Sequence, residues 1–293
     1  MSQVAVVSDS CTSLPEAFFK EYDITMVAYF VNIGKESLRD LIDIRRDEFL
    51  EHLRHAKTLP TSANPGAGDY LEAFKLAAKR AQEIVSVHMT SVGSGAYQAA
   101  CIAKEMALEA LPDVRIELVD TLNVSMAHGW MALEAARAAM AGASLESVLA
   151  QIKRMIPVTR MLQTADTLRY LYMGGRIGKA KHLFGSLLNI KPIISMEEGE
   201  IVALGQERSR KRAYERMIDL IVEKVGRGAR IKAAIVHAAD EEAAEVLRGM
   251  VEESFSCDEM LVTELSSALA VHTGPGTVGV CYFPVDVLEG QFV

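Results

Sequence analysis

Short apolar runs of strand length alternate with helix-forming stretches along the first half of the chain. Residues 4–7, 24–33, 83–89 and 115–119 are rich in Val, Ile and other apolar side chains, the pattern of buried strands. Between them, residues 46–55, 69–81, 96–107 and 126–141 read as helices. A first helix is expected to run through Tyr22, with Ser13 and Glu16 spaced as a capping box and Pro15 inside the first turn. The alternation predicts a parallel sheet covered on both faces, and such sheets bind ligands beyond the carboxyl ends of their strands. The loops at Asp9, Ser91 and Asp120 would share that edge.

The helix opened by Gly142-Ala143-Ser144 stops near Ile156, because Pro157 disfavours helical backbone in the residue before it. The chain is expected to divide there, into one α/β domain over residues 1–158 and a second over 159–293. In the second part, residues 166–173 form a short helix ended by Gly174-Gly175. Residues 189–195 and 200–204 flank a Glu197-Glu198-Gly199 turn as a hairpin. A helix from Arg208 to Val225, a strand over 231–237, a helix over 240–253 and strands over 259–265 and 278–283 follow, with a Gly-rich loop at 272–277.

Composition narrows the class. At 293 residues the chain can bury a large core, and 50% hydrophobic with 24% charged residues is ordinary for a soluble globular protein. A net charge of −8 argues against nucleic acid or an anionic membrane as the main partner. Cys11, Cys101, Cys257 and Cys281 are too scattered for a zinc site or a disulfide scaffold, which points to a reducing cytoplasm. The chain starts on a strand rather than a basic segment, and no apolar run reaches the ~18 residues of a membrane span. A soluble, cytoplasmic protein is expected.

Candidate chemistry concentrates at Thr90-Ser91-Val92-Gly93-Ser94-Gly95, between a buried strand and a helix opening. Free N–H groups at a helix N-terminus, glycines that let backbone approach a ligand and three hydroxyls suit a small anion; equally, Ser94 suits a helix cap. Other motifs fail. Gly274-Pro275-Gly276-Thr277-Val278-Gly279 matches a dinucleotide pattern by letters but opens a strand, not a helix. Gly174 to Lys179 resembles a phosphate loop with the glycine spacing one short and Ala180 where Ser or Thr is required. Val92 and Ala96 occupy the glycine positions of a nucleophile elbow around Ser94. His52 and His55 share a helix face without further ligands, so no metal site is expected. What remains is hydroxyls from three loops plus His272, a set suited to a carboxylate head with an alkyl tail.

At this point the whole chain resembles the DegV family of bacterial fatty-acid-binding proteins. The resemblance rests on Ser8-Asp9-Ser10 with Leu14-Pro15, Thr61-Ser62, Thr90 to Gln98, and Val119-Asp120-Thr121. It continues through Gly174-Gly175-Arg176-Ile177, Gly185 to Pro192 and His272-Thr273-Gly274-Pro275-Gly276. It implies two α/β domains, the second with a mixed sheet, and a long-chain fatty acid held in a tunnel between them. It implies that Thr61, Ser62, Ser91, Ser94, His272 and Thr273 gather around the carboxylate, with Arg208 near the head-group. It further implies no cofactor and no catalysis by this chain. The fatty acid would be presented to a separate kinase, the catalytic subunit of a fatty acid kinase, with Arg176 meeting that partner. The alternative from a different class is a serine-dependent hydrolase or acyl transferase using Ser94 or Ser91. The glycine of the Thr90–Gly95 loop stands one place from its usual position in the family, which bears on loop shape and ligand preference.

Overall fold

Strand β1 (Val4–Asp9) is buried at every position, and a four-stranded sheet forms around it. The computed structural model describes residues 3–183 and 190–289. Helix α1 (Glu16–Glu21) returns the chain to β2 (Ile24–Val27), parallel to β1. Next come β3 (Phe30–Ile33), β4 (Glu36–Arg39), α2 (Arg46–His55), β5 (Thr61–Ala63) and α3 (Ala67–Ala78). Strand β6 (Glu83–His88) pairs with the other side of β1, and after α4 (Ala96–Ala110) comes β7 (Arg115–Asp120). The order is β2-β1-β6-β7, parallel throughout, as the alternation predicts.

Two local expectations change. The single strand predicted over 24–33 is two strands, because the chain leaves the sheet at Ala28-Tyr29. There the Tyr29 amide donates to Ser10 Oγ at 3.1 Å and the Tyr29 carbonyl accepts from Asp40 N at 2.8 Å. Strand β3 then joins a small antiparallel sheet ordered β4-β3-β5. The capping box at Ser13 does not form either. Ser13 sits in left-handed backbone with φ 55°, and its Oγ accepts from Ser266 N at 3.1 Å and Ser125 Oγ at 3.2 Å. Helix α1 therefore starts behind Pro15 with no side-chain cap.

Helices α5 (Ser125–Met140) and α6 (Leu145–Met155) lead to β8 (Arg160–Thr164), a strand absent from the sequence expectation. After α7 (Arg169–Met173) and a 3-10 turn over Gly178–Leu183 come the hairpin β9 (Lys191–Glu197) and β10 (Glu200–Glu207). Residues Gly185 to Asn189, part of the family-like block, lie outside the described residues. Helix α8 (Arg210–Val225), β11 (Arg230–His237), α9 (Glu241–Ser254), β12 (Ser256–Glu264), α10 (Ser267–Thr273) and β13 (Val278–Pro284) complete the chain. The second sheet runs β10-β9-β8-β13-β11-β12; only β11 and β12 are parallel, so it is mixed. The predicted Gly-rich loop at 272–277 instead begins inside α10.

Helix α5 explains how the sheets sit together. Every one of its residues except Arg137 and Met140 is buried, the signature of a helix enclosed on all sides. One hydrophobic cluster joins it to Val4, Val6 and Val87 of the first sheet and to Val236, Cys281 and Phe283 of the second. Trp130 donates its indole N–H to the Cys281 carbonyl at 3.1 Å and meets the Phe283 ring edge-on at 5.6 Å. At the rim, Arg137 pairs with Glu134 at 2.7 Å and Glu259 at 2.6 Å, and Lys232 pairs with Glu134 at 2.8 Å. The parallel sheet lies wholly before residue 158 and the mixed sheet wholly after it, yet the core between them is continuous. No described helix is long and apolar enough to cross a membrane.

Candidate functional site

A cavity of about 260 Å³ opens where the loop after β6 and the start of α4 face the mixed sheet, far above the ~10–15 Å³ that one water needs. Its sheet-side wall follows strand periodicity. Met161 and Gln163 line it from β8, and Ile194 and Met196 from β9, each pair two residues apart and so on one face. Leu171, Ile201, Leu265 and Leu269 continue the apolar lining. Thioether and aliphatic side chains of this kind shape themselves to a flexible apolar ligand.

The polar end is assembled from distant segments. Ser62 Oγ lies 2.7 Å from His272 Nε2, and Tyr29 OH lies 2.7 Å from Ser94 Oγ. Burial holds the Tyr29 phenol pKa well above its ordinary value, so Tyr29 keeps its proton, and either hydroxyl of the pair can donate to the other. Ser94 Oγ also accepts from Ala96 N at 3.2 Å. When Tyr29 is the donor, both acceptor sites of Ser94 are filled and its hydroxyl hydrogen is left for a ligand. Ser94 is thus a pocket residue that also binds the first amide of α4, while Gly95 holds the cap position.

His272 is neutral near pH 7. Burial first, and then the nearby Arg176 charge, lower its pKa to about 4. When the imidazole donates Nε2–H to Ser62, the Ser62 hydroxyl hydrogen is left to donate onward. The ring is fixed from behind: a Cβ on Gly174 would lie 2.3 Å from His272 Nδ1, so only glycine allows this approach. His272 Nδ1 and Thr273 Oγ1 are buried without hydrogen-bond partners among the described residues.

Contacts between the two sheets' loops frame the cavity. The β9–β10 turn carries Glu198 at φ 50° and Gly199 at φ 82°, the left-handed pair that a two-residue hairpin turn demands. Thr90 Oγ1 donates to the Gly199 carbonyl at 2.9 Å, and a Cβ on Gly199 would stand 2.5 Å from that oxygen. Arg176 Nε donates to the Gly93 carbonyl at 3.1 Å and Nη1 to Gly174 O at 3.0 Å. Arg176 lines the cavity while remaining exposed.

Of the residues singled out in the sequence, Ser62, Ser94, His272, Thr273 and Arg176 line the cavity, and Thr61, Ser91 and Arg208 do not. Strand alternation separates Thr61 from Ser62: in β5 their side chains take opposite faces, and Thr61 Oγ1 accepts instead from Asn32 Nδ2 at 3.2 Å. The amide of Ser91 donates to Asp120 Oδ2 at 3.2 Å, and its residue stays off the wall. Arg208 follows the last residue of β10, whose first two residues line the cavity. Seven strand steps of roughly 3.3 Å carry it about 23 Å away. Neighbouring Arg210 is the engaged arginine, pairing with Asp166 at 2.8 Å and with Asp240. Asp9 does not reach the cavity; its Oδ1 accepts from Cys11 N at 2.9 Å. His272 is hydrogen-bonded to Ser62 at 2.7 Å, not to Ser94 or Ser91. No group of metal-ligating side chains occurs among the described residues. Tyr29 and Gln163 are among the wall residues that sequence reading misses.

Known proteins share this architecture and sequence. The profile of the DegV family matches residues 3–285. A DegV domain-containing protein of Streptomyces coelicolor is 33% identical over 279 residues, covering 94% of this chain and 97% of the relative. One from Caldanaerobacter subterraneus is 30% identical over 282 residues, covering 96% and 99%. Among solved structures, a DegV family protein from Thermus thermophilus described by its fatty acid binding is 31% identical, with a TM-score of 0.89 over 97% of this chain and 100% of that one. Bacillus subtilis DegV, described as a fatty acid binding protein, is 27% identical with a TM-score of 0.86 over 97% and 100%. This chain is a member of the DegV family.

Proposed function

We propose that this protein binds a long-chain fatty acid in the cavity between its sheets and carries out no chemistry on it. The carboxylate is held by Ser62, Ser94, His272 and Thr273, and the tail lies along the strand faces of β8 and β9. The observation that carries this reading is the Ser62–His272 contact at 2.7 Å, which joins residues 210 positions apart at the end of an apolar-lined hollow. The fatty-acid binding described for the Thermus and Bacillus relatives supports it. Burying a tail of about sixteen carbons at roughly 0.8 kcal/mol per CH₂ gives on the order of 12 kcal/mol before ordering costs, ample for tight binding.

The bound acid is presented to a separate kinase that phosphorylates the carboxylate, with Arg176 at the exposed edge of the cavity as the partner contact. Charge reversal at Arg176 should impair phosphorylation by such a kinase more than it impairs lipid binding. Native mass spectrometry of the purified protein tests the core of the reading. A co-purifying mass of a fatty acid is expected; an empty protein that cleaves model esters would overturn it.

A further inference from the structure

The cavity wall contains a buried polar group without a hydrogen-bond partner among the described residues. Gln163 lies on the sheet-side wall, beside Met161 and Ile194, and is 3% exposed. Its side-chain Nε2 is buried with no hydrogen-bond partner among the described residues. The residue cannot escape its position, because β8 is clamped on both sides, Gln163 pairing with Ile194 of β9 and with Gly279 of β13. A buried amide without a partner is a standing penalty, and methylene groups passing over it give no relief.

Gln163 also comes from a different element than the head-group residues. Ser62, Ser94 and His272 come from β5, the loop before α4 and α10, whereas Gln163 projects from a strand whose other wall residue, Met161, is apolar. Its terminal torsion is broad, so the amide can turn toward a ligand without leaving its rotamer.

We infer that Gln163 is a second polar station that selects acyl chains bearing a hydrogen-bonding substituent, such as a hydroxyl or keto oxygen, part-way along the tail. This rests on the fatty-acid reading above and narrows it to oxygenated long-chain acids. Stearate and hydroxystearates differing in the position of the hydroxyl should be titrated into the delipidated protein and its Gln163→Leu variant by calorimetry. Wild-type protein should bind at least one hydroxystearate about tenfold tighter than stearate, ~1.4 kcal/mol, and the variant should lose that preference while keeping or tightening stearate. Gln163→Met, with its melting temperature recorded, serves if the leucine variant misfolds. Equal affinities in wild-type protein, or a preference that survives both substitutions, would overturn the inference while leaving fatty-acid binding intact. A uniform loss for every acid would make Gln163 part of the carboxylate site and overturn it equally. Binding of neither stearate nor hydroxystearate would remove the fatty-acid reading itself, and the inference with it.

Discussion

The two walls of the cavity are built on different principles. On the parallel-sheet side the cavity faces chain ends: Ser94 stands just before α4, and Tyr29 stands where the chain leaves β2. On the mixed-sheet side it faces strand surfaces, with alternate residues of β8 and β9 pointing inward. Loops bring hydrogen-bond donors together from distant sequence, while a sheet face offers regularly spaced apolar groups. On the function proposed above, the head belongs to one wall and the tail to the other, with Gln163 as the exception that the tail wall carries.

The largest expected effect comes from unfastening the walls from each other. Trp130→Ala empties the core between the sheets and leaves the Cys281 carbonyl without its donor; it should cost about 3–5 kcal/mol in urea unfolding. Both sheets should be lost in one transition, and two separated transitions would show the walls to be independent. On the donor wall, His272→Ala removes a hydrogen-bond source for a charged head-group. It should weaken fatty-acid binding about 10- to 100-fold, the equivalent of 1.5–3 kcal/mol, with the melting temperature nearly unchanged; unaltered affinity in a fluorescent fatty-acid titration would take His272 out of the site.

Acidification should act on the same side of the molecule. His88, His128 and His272 have pKa values lowered to about 3, about 4 and about 4, each mainly by burial. Below the ordinary histidine range the unfolded chain takes up protons that the fold refuses. Stability therefore falls as pH drops from 6.5 toward 4, by up to about 1.4 kcal/mol per pH unit for each histidine. Asp9 runs the other way. Burial raises its pKa to about 7, so its contribution is present in acid and is lost as pH rises from 4 to 7. Three histidines outweigh one aspartate, and urea midpoints should fall between pH 6.5 and pH 4.5; a flat profile would contradict the burial of these groups. The smallest effect belongs to Tyr29→Phe. It deletes only the bond that orients Ser94, about 0.5–1.5 kcal/mol, and should weaken binding a few-fold while Ser94→Ala weakens it more.

Much of this was legible in the residues. Apolar alternation outlined the parallel sheet, and the hydroxyl-rich loop between residues 90 and 95 pointed to the donor wall. Resemblance to the DegV family singles out Ser62, Ser94 and His272, which line one cavity. The failures share a cause, which is direction. Thr61 and Ser62 are adjacent in sequence but lie on opposite faces of a strand. Arg208 lies just past the end of β10 opposite to the end that lines the cavity. Strand β8 went unread because Met161 and Gln163, its cavity-facing positions, alternate with Leu162 and Thr164, which gives no clean apolar–polar period. Ser13 has the spacing of a cap, but long-range partners at Ser125 and Ser266 claim its hydroxyl.

The bare backbone of Gly174 behind the imidazole has a bearing on how tightly any acid is held. With the ring wedged in place, His272 loses its rotational freedom when the chain folds, so a newcomer to the cavity does not have to immobilise it. Rigid receptors of this kind bind well because little disorder remains to be removed at the moment of encounter. A side chain larger than hydrogen at position 174 would push the ring aside, so the loss of a single hydrogen-sized gap would loosen the grip on every acid alike, whatever its tail.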